Sequence, residues 1–277
     1  MQAPAKLNVM LKITGKRSDG YHDLVSVMVP VSLFDEIEVR RADEPGIGFS
    51  CSGVSSPSGA DNLAVRAASA FYRKAGLNPG IHLSLNKNIP VAAGLGGGSS
   101  DAAATLTALN EYHKGPLSAE QLAGIARSLG ADVPFFLRRE PCLATGIGDV
   151  LEPLELWPEL WYLIVMPPFS VSTAWVYGNL RLELTSNSTE DILNCLKKRP
   201  LEVPRLLEND LEKVTASHFP VISTIKKALV EAGARGALMS GSGPSVFGLF
   251  TDEGRLGTAV QAVSSMNLGD VFAVRGL

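Results

Sequence analysis

The stretch Pro90-Val-Ala-Ala-Gly94-Leu-Gly96-Gly97-Gly98-Ser99-Ser100-Asp101 runs straight into Ala102-Ala-Ala-Thr-Leu-Thr-Ala-Leu109. The second half reads as a helix, because alanine and leucine carry the lowest helix cost. The first half cannot be the interior of a helix or strand, since each glycine there would lose backbone entropy with no side chain to pack. A glycine loop feeding a helix start leaves backbone N–H groups unpaired and aimed one way, at the positive end of the helix dipole. That is a phosphate cradle. The plainer reading is a lead-in loop to an alanine-rich core helix, with Ser99 or Ser100 as its N-cap. A cap needs one serine, whereas four glycines and two serines stand between Gly94 and Ser100. The excess favours an anion.

Known phosphate loops can be tested against it. A Walker loop needs a lysine after the glycines, and none follows. The dinucleotide fingerprint fails at Ser99, where its last glycine should stand. The hydrolase elbow fails because Asp101 stands where its last glycine should be. What remains, Pro-x3-Gly-Leu-Gly-Gly-Gly-Ser-Ser-Asp-Ala-Ala, resembles the phosphate loop of the GHMP kinases. In that family the glycine N–H groups hold the ATP phosphates and a serine hydroxyl helps ligate magnesium.

Composition narrows the partners. At 277 residues the chain reaches the range of about 250–300 where single cores stop growing, which favours two domains. With 45% hydrophobic and 19% charged residues it is globular rather than disordered. A net charge of −3 provides no basic field for nucleic acid. Cys51, Cys142 and Cys195 form no C-x-x-C pair, and the four histidines show no metal-ligand spacing, which suits a reducing compartment. Neither a signal peptide nor an apolar run of spanning length is seen. The expectation is a cytoplasmic protein with no membrane or nucleic-acid partner, as a monomer or a homodimer.

Along the chain, residues 3–14 and 24–40 alternate as strands around the polar turn Lys16–Gly20. Asp61-Asn62 caps a helix carrying Leu63, Ala67 and Phe71, which Gly76 ends. Residues 81–87 form a strand into the glycine loop, and its helix spans about Ser99 to Glu111. Ser118-x-x-Gln121 is a capping box for a helix closed by Gly130. Arg138–Leu154 is turn-rich. A second unit opens near Leu156 with the strand 161–166, stopped by Pro167-Pro168. Several helices follow, one over Val221–Ala232, then strands at 236–240 and 245–250 around Gly241-Ser-Gly243-Pro244. A helix at 255–266 and a strand at 270–275 complete a β-α-β-β-α-β order, which is ferredoxin-like.

Three further clusters bear chemistry. Lys6, in Ala3-Pro-Ala-Lys6-Leu-Asn8, is a charge inside an apolar strand; an edge lysine reaching solvent would explain it equally. Asp132, in Gly130-Ala-Asp132-Val-Pro134-Phe-Phe136, sits where acidity can be tuned, or simply N-caps a turn. Met239–Ser245 is a hairpin turn or a second small-residue loop over phosphates. Tyr21-His22, after Asp19-Gly20, is either a strand start with tyrosine half-buried and histidine outward, or an aromatic face with a donor and acceptor for a pyrimidine.

With the glycine loop, these clusters match the signature regions of the GHMP kinases in order across nearly the whole chain. Within the family the match is best to the branch acting on a cytidine-diphosphate-bearing alcohol in the non-mevalonate isoprenoid pathway. Gly15–His22, Asn209-Asp-Leu-Glu212 and Ser240–Pro244 carry that match. The implied fold is α+β, the two-domain GHMP kinase fold. It pairs a ribosomal-protein-S5-domain-2-like nucleotide domain over 1–155 with a ferredoxin-like domain over 156–277. The implied reaction is ATP-dependent phosphorylation of a tertiary (2-)hydroxyl, with Mg2+. Pro90, Val91, Ala92, Ala93, Gly94, Leu95, Gly96, Gly97, Gly98, Ser99 and Ser100 would hold ATP, with Ser99 or Ser100 on the metal and adenine near Asn62 and Lys87. Asp132 would accept the hydroxyl proton, and Lys6 would pair with it and counter phosphoryl charge. Asn8, Tyr21, His22, Thr173, Tyr177, Gly241, Ser242 and Gly243 would bind the substrate. The alternatives are a homoserine or mevalonate-type kinase, the superfamily's ATP-dependent decarboxylase, or a nucleotide-binding regulator without catalysis.

Overall fold

A strand buried on both faces lies inside rather than on a protein, and the first strand shows this, with an apolar face opposite one that carries Lys6, Asn8 and Lys12. In β1 (Gln2–Lys16) every side chain from Ala3 to Ile13 is buried, and in β2 (His22–Arg41) so are those from Leu24 to Val31. The structure, a computed structural model, describes residues 1–54, 57, 59–181, 196 and 201–277. Cys195 and part of the helical run expected after Pro168 lie outside the described residues. The chain forms two compact units, and both long strands contribute residues to each.

Unit one comprises Met1–Ala5, Leu33–Val91 and Gly96–Arg139. Here the outer half of β2 pairs antiparallel with β4 (Gly80–Lys87), and β4 pairs parallel with β3 (Gly46–Gly53). Strand β3 escapes a sequence reading because its glycines and serines break the apolar alternation. Helix α1 (Leu63–Ala75) starts where Asn62 Oδ1 accepts the Ala64 N–H and ends at Gly76 in the left-handed region. Helix α2 (Gly97–Tyr112) packs against α1 and α4 (Val133–Arg138). The expected capping box opens α3 (Ala119–Leu129) through reciprocal Ser118 and Gln121 bonds.

Unit two comprises Lys6–Ser32, Ala92–Leu95 and Glu140–Leu277. The turn-rich stretch at 138–154 is a hairpin: β5 (Cys142–Thr145) pairs with β6 (Val150–Pro153) and with β2. After β7 (Trp161–Met166) come α5 (Thr173–Asn179), the short β8 (Glu208–Asn209), α6 (Asp210–His218) and α7 (Val221–Glu231). Strands β9 (Ala237–Met239) and β10 (Val246–Phe250), helix α8 (Glu253–Ser264) and β11 (Asp270–Arg275) finish the unit. The sheet order is β11-β7-β10-β9, antiparallel throughout, as the ferredoxin-like expectation requires. Its core joins Leu163 and Val165 to Ile222, Ile225 and Leu229 of α7 and to Leu256, Ala259 and Val263 of α8. Among the described residues no helix is long and apolar enough to cross a membrane.

Candidate active site

In unit one the glycine loop enters α2 two residues before Ser99. Gly96, in the left-handed region at φ 71°, is the N-cap, so Gly97, Gly98 and Ser99 form the first helical positions. Neither Ser99 nor Ser100 is the cap, which removes the plainer reading of those serines. The N–H groups of the first turn have no partner within the helix, which leaves them for an anion. Ser100 Oγ is buried without a hydrogen-bond partner, an oxygen of the kind a hard divalent cation takes.

Beneath the loop lies a charged group that sequence reasoning missed. The Lys87 ammonium donates to Asp35 and to Asp101 Oδ2, the latter at 2.8 Å, and all three side chains are buried. Asp35 Oδ1 also accepts the N–H groups of Asn88 and Ile89, at 2.6 and 2.8 Å, fixing the segment before Pro90. A Cβ placed on Gly97 would lie 3.1 Å from Lys87 Nζ. Lys87 therefore supports the loop from below. Asn62 is engaged as well, capping α1 and donating to the Pro57 carbonyl. Asp132 occupies the N-cap position of α4 but makes no capping bond.

Unit two gathers the other candidates. Lys6 is only 4% exposed, so it is no edge lysine reaching solvent, and its ammonium donates to Asn8 Oδ1. Asn8 Nδ2 donates to Ser26 Oγ at 2.8 Å, and the Asn8 N–H donates to Ser240 Oγ at 3.2 Å. Ser240 Oγ in turn donates to the Gly94 carbonyl at 3.0 Å, and the Ser245 N–H to the Ala93 carbonyl at 3.3 Å. The first part of the glycine loop thus rests on the Gly241–Gly243 loop.

Side chains hold that second loop from behind. Asn209 Nδ2 donates to the carbonyls of Met239 and Gly241, at 2.7 and 2.8 Å, and Thr215 Oγ1 to that of Ser242 at 3.2 Å. Thr173 and Ser242 share a hydroxyl–hydroxyl bond of 2.8 Å. Gly241 and Gly243 both stand at positive φ, and the Gly243 N–H donates to the Ser240 carbonyl at 2.9 Å, closing the turn on itself.

Tyr21 and His22 reverse the plainer reading of that pair: Tyr21 is 58% exposed and His22 is half-buried. The His22 ring lies 5.1 Å from that of Tyr177, tilted by 33°. Burial, and then Lys16, hold its imidazole below the ordinary value, so at neutral pH the ring is uncharged and offers one donor and one acceptor. The Tyr21 N–H donates to Asp19 Oδ1 at 3.1 Å, and Arg17 bridges Asp19 and Asp23 on either side of the pair.

Residues 62–140 match the family model described as GHMP kinases N terminal domain, and residues 192–267 match GHMP kinases C terminal. The chain belongs to the GHMP kinases. It is 48% identical over 274 residues to the 4-diphosphocytidyl-2-C-methyl-D-erythritol kinase of Syntrophotalea carbinolica, covering 98% of this chain and 96% of that protein. A crystal structure of 4-(cytidine 5'-diphospho)-2C-methyl-D-erythritol kinase superposes with a TM-score of 0.84 at 36% identity, covering 100% of this chain and 98% of that one. The homoserine kinase of Cytophaga hutchinsonii shares the fold, with a TM-score of 0.77 at 21% identity over 98% of this chain and 92% of that one.

Proposed function

We infer that this kinase transfers the γ-phosphoryl group of ATP to the 2-hydroxyl of 4-diphosphocytidyl-2-C-methyl-D-erythritol, a step of isoprenoid precursor synthesis in the cytoplasm. The observation that carries this reading is the 48% identity to an enzyme of that name over 98% of the chain. Pro90–Ser100 holds the phosphates through its backbone N–H groups. Adenine lies near Asn62 and Lys87, whose own polar atoms are engaged within the protein, so they shape that region rather than donate to the base.

Asp132 accepts the hydroxyl proton, a role typically worth about 10²- to 10⁴-fold. Lys6 counters the charge growing on the transferring phosphoryl group in a loose transition state. Ser100, or Ser99 on the same turn, would hold Mg2+, which would supply positive charge to offset that of the phosphates. Tyr21 stacks on cytosine, His22 and Tyr177 read and flank the base, and Asn8, whose amide is engaged by Lys6 and Ser26, shapes the site in which Thr173 and Gly241–Gly243 bind the remainder of the substrate.

The test is a purified-protein assay with ATP, Mg2+ and a panel of alcohols. The cytidyl substrate is expected to be phosphorylated, with homoserine and mevalonate ignored. Turnover of either of those instead would replace the substrate assignment and leave the kinase in place.

A further inference from the structure

We propose that Ser26 is a positioning residue for phosphoryl transfer, setting the orientation of the Asn8 amide so that Asn8 Oδ1 holds the Lys6 ammonium. The proposal rests on the reading of Lys6 as the residue that meets the transferring phosphoryl group. Ser26 lies in β2 and is 1% exposed. Its hydroxyl has one hydrogen, which is donated to the Met10 carbonyl at 2.6 Å. Toward Asn8 the oxygen can then only accept. The NH2 end of the Asn8 amide must face it, and does so at 2.8 Å. The amide oxygen is thereby left for Lys6.

The chain of bonds has one direction: ammonium to amide oxygen, amide NH2 to hydroxyl, hydroxyl to carbonyl. Turning the Asn8 amide over would set N–H groups against an ammonium and an oxygen against an oxygen. All three side chains of the relay are buried, where such mismatches are worst. Space is also closed above the pair. A Cβ on Gly241 would stand 3.1 Å from Asn8 Oδ1 and 3.4 Å from Lys6 Nζ. Through Asn8 N–H and Ser240 the same strand is tied to Gly94, so the orientation Ser26 imposes is registered against the phosphate loop.

Ser26→Ala removes the acceptor, and Ser26→Cys replaces it with a weak one on a slightly larger side chain. Both are expected to lower kcat about 10- to 100-fold, the scale of a slightly misplaced group, with KM for ATP changed less than about twofold. The decisive measurement is a double-mutant cycle with Asn8→Ala. If Ser26 acts through Asn8, adding Ser26→Ala to Asn8→Ala changes kcat by less than about twofold. A serine that merely supports the fold lowers the melting temperature and multiplies its loss with that of Asn8→Ala, which would overturn the proposal. So would wild-type kcat in both Ser26 variants. Lys6→Met separates the two readings: inactivity of that variant beside active Ser26 variants removes the relay alone, whereas retained turnover removes the role of Lys6 and the relay with it.

Discussion

Gly94 illustrates how tightly single residues define this site. It sits at φ 77°, and a Cβ there would lie 2.1 Å from the Ser240 carbonyl oxygen, backbone that has no room to retreat. Gly94→Ala combines left-handed strain with that clash, so it should destabilise the protein by at least about 1–2 kcal/mol. It should also weaken ATP, as thermal melts and calorimetric titration would register. Gly97 differs. Its φ is ordinary, and a Cβ would meet Ile89 at 3.0 Å and Lys87 Nζ at 3.1 Å. Gly97→Val should therefore press on the buried Ile89 and Lys87, lowering the melting temperature and shifting the loop so that ATP affinity falls; unchanged binding by calorimetry would remove the loop assignment. Asp132→Asn keeps the shape of a side chain that makes no capping bond. Turnover should fall about 10²- to 10⁴-fold with ATP binding intact, and a loss below about tenfold would favour a structural role.

Elements show where a sequence is transparent and where it is not. Helix α1 and α3 were legible because their caps are local: Asn62 and Ser118 satisfy N–H groups two or three residues away. The sequence reading starts α2 at Ser99 rather than Gly97 because glycine, a poor helix former, occupies the helix's first two positions; N-terminal N–H groups held for an anion need no side chain there. The Lys87–Asp35–Asp101 group was not legible, since it joins β2, β4 and α2 over 52 residues of separation and has no spacing of its own. It predicts a pH effect. Burial, and then the balance of Lys87 against Asp35, push the Asp101 carboxyl up to about 7. The folded chain then keeps a proton that the unfolded chain releases near its ordinary value of about 4. Stabilisation from this group is complete below about pH 4 and is lost as pH rises to about 7. Asp101→Asn, neutral throughout, should flatten that loss. Urea midpoints at pH 5 and pH 8 would measure it, and identical slopes in both proteins would refute it.

At the scale of the whole molecule, fold and substrate separate. A homoserine kinase shares this fold at 21% identity, so the fold leaves the substrate undecided and particular side chains must decide it. The ferredoxin-like order is readable because its described strands and helices are bounded by their own turn residues, whereas the proposed substrate residues come from β1, the start of β2, α5 and the Gly241–Gly243 turn, far apart in sequence. Tyr21 is the most informative of them, being a large aromatic left 58% exposed while Asp19 and Arg17 fix its backbone. Removing an exposed ring should cost little stability, so Tyr21→Ala is a clean test. If the ring stacks on cytosine, affinity for the cytidyl substrate should fall by about 1–3 kcal/mol, roughly 5- to 150-fold. ATP affinity should barely change. His22→Ala should also act on the substrate alone, by removing a partner of the base edge. Free CMP or CDP should compete with the substrate in the wild-type protein and much less in Tyr21→Ala. A lowered melting temperature with unchanged substrate affinity would instead make Tyr21 a packing residue, and the base would have to be held elsewhere.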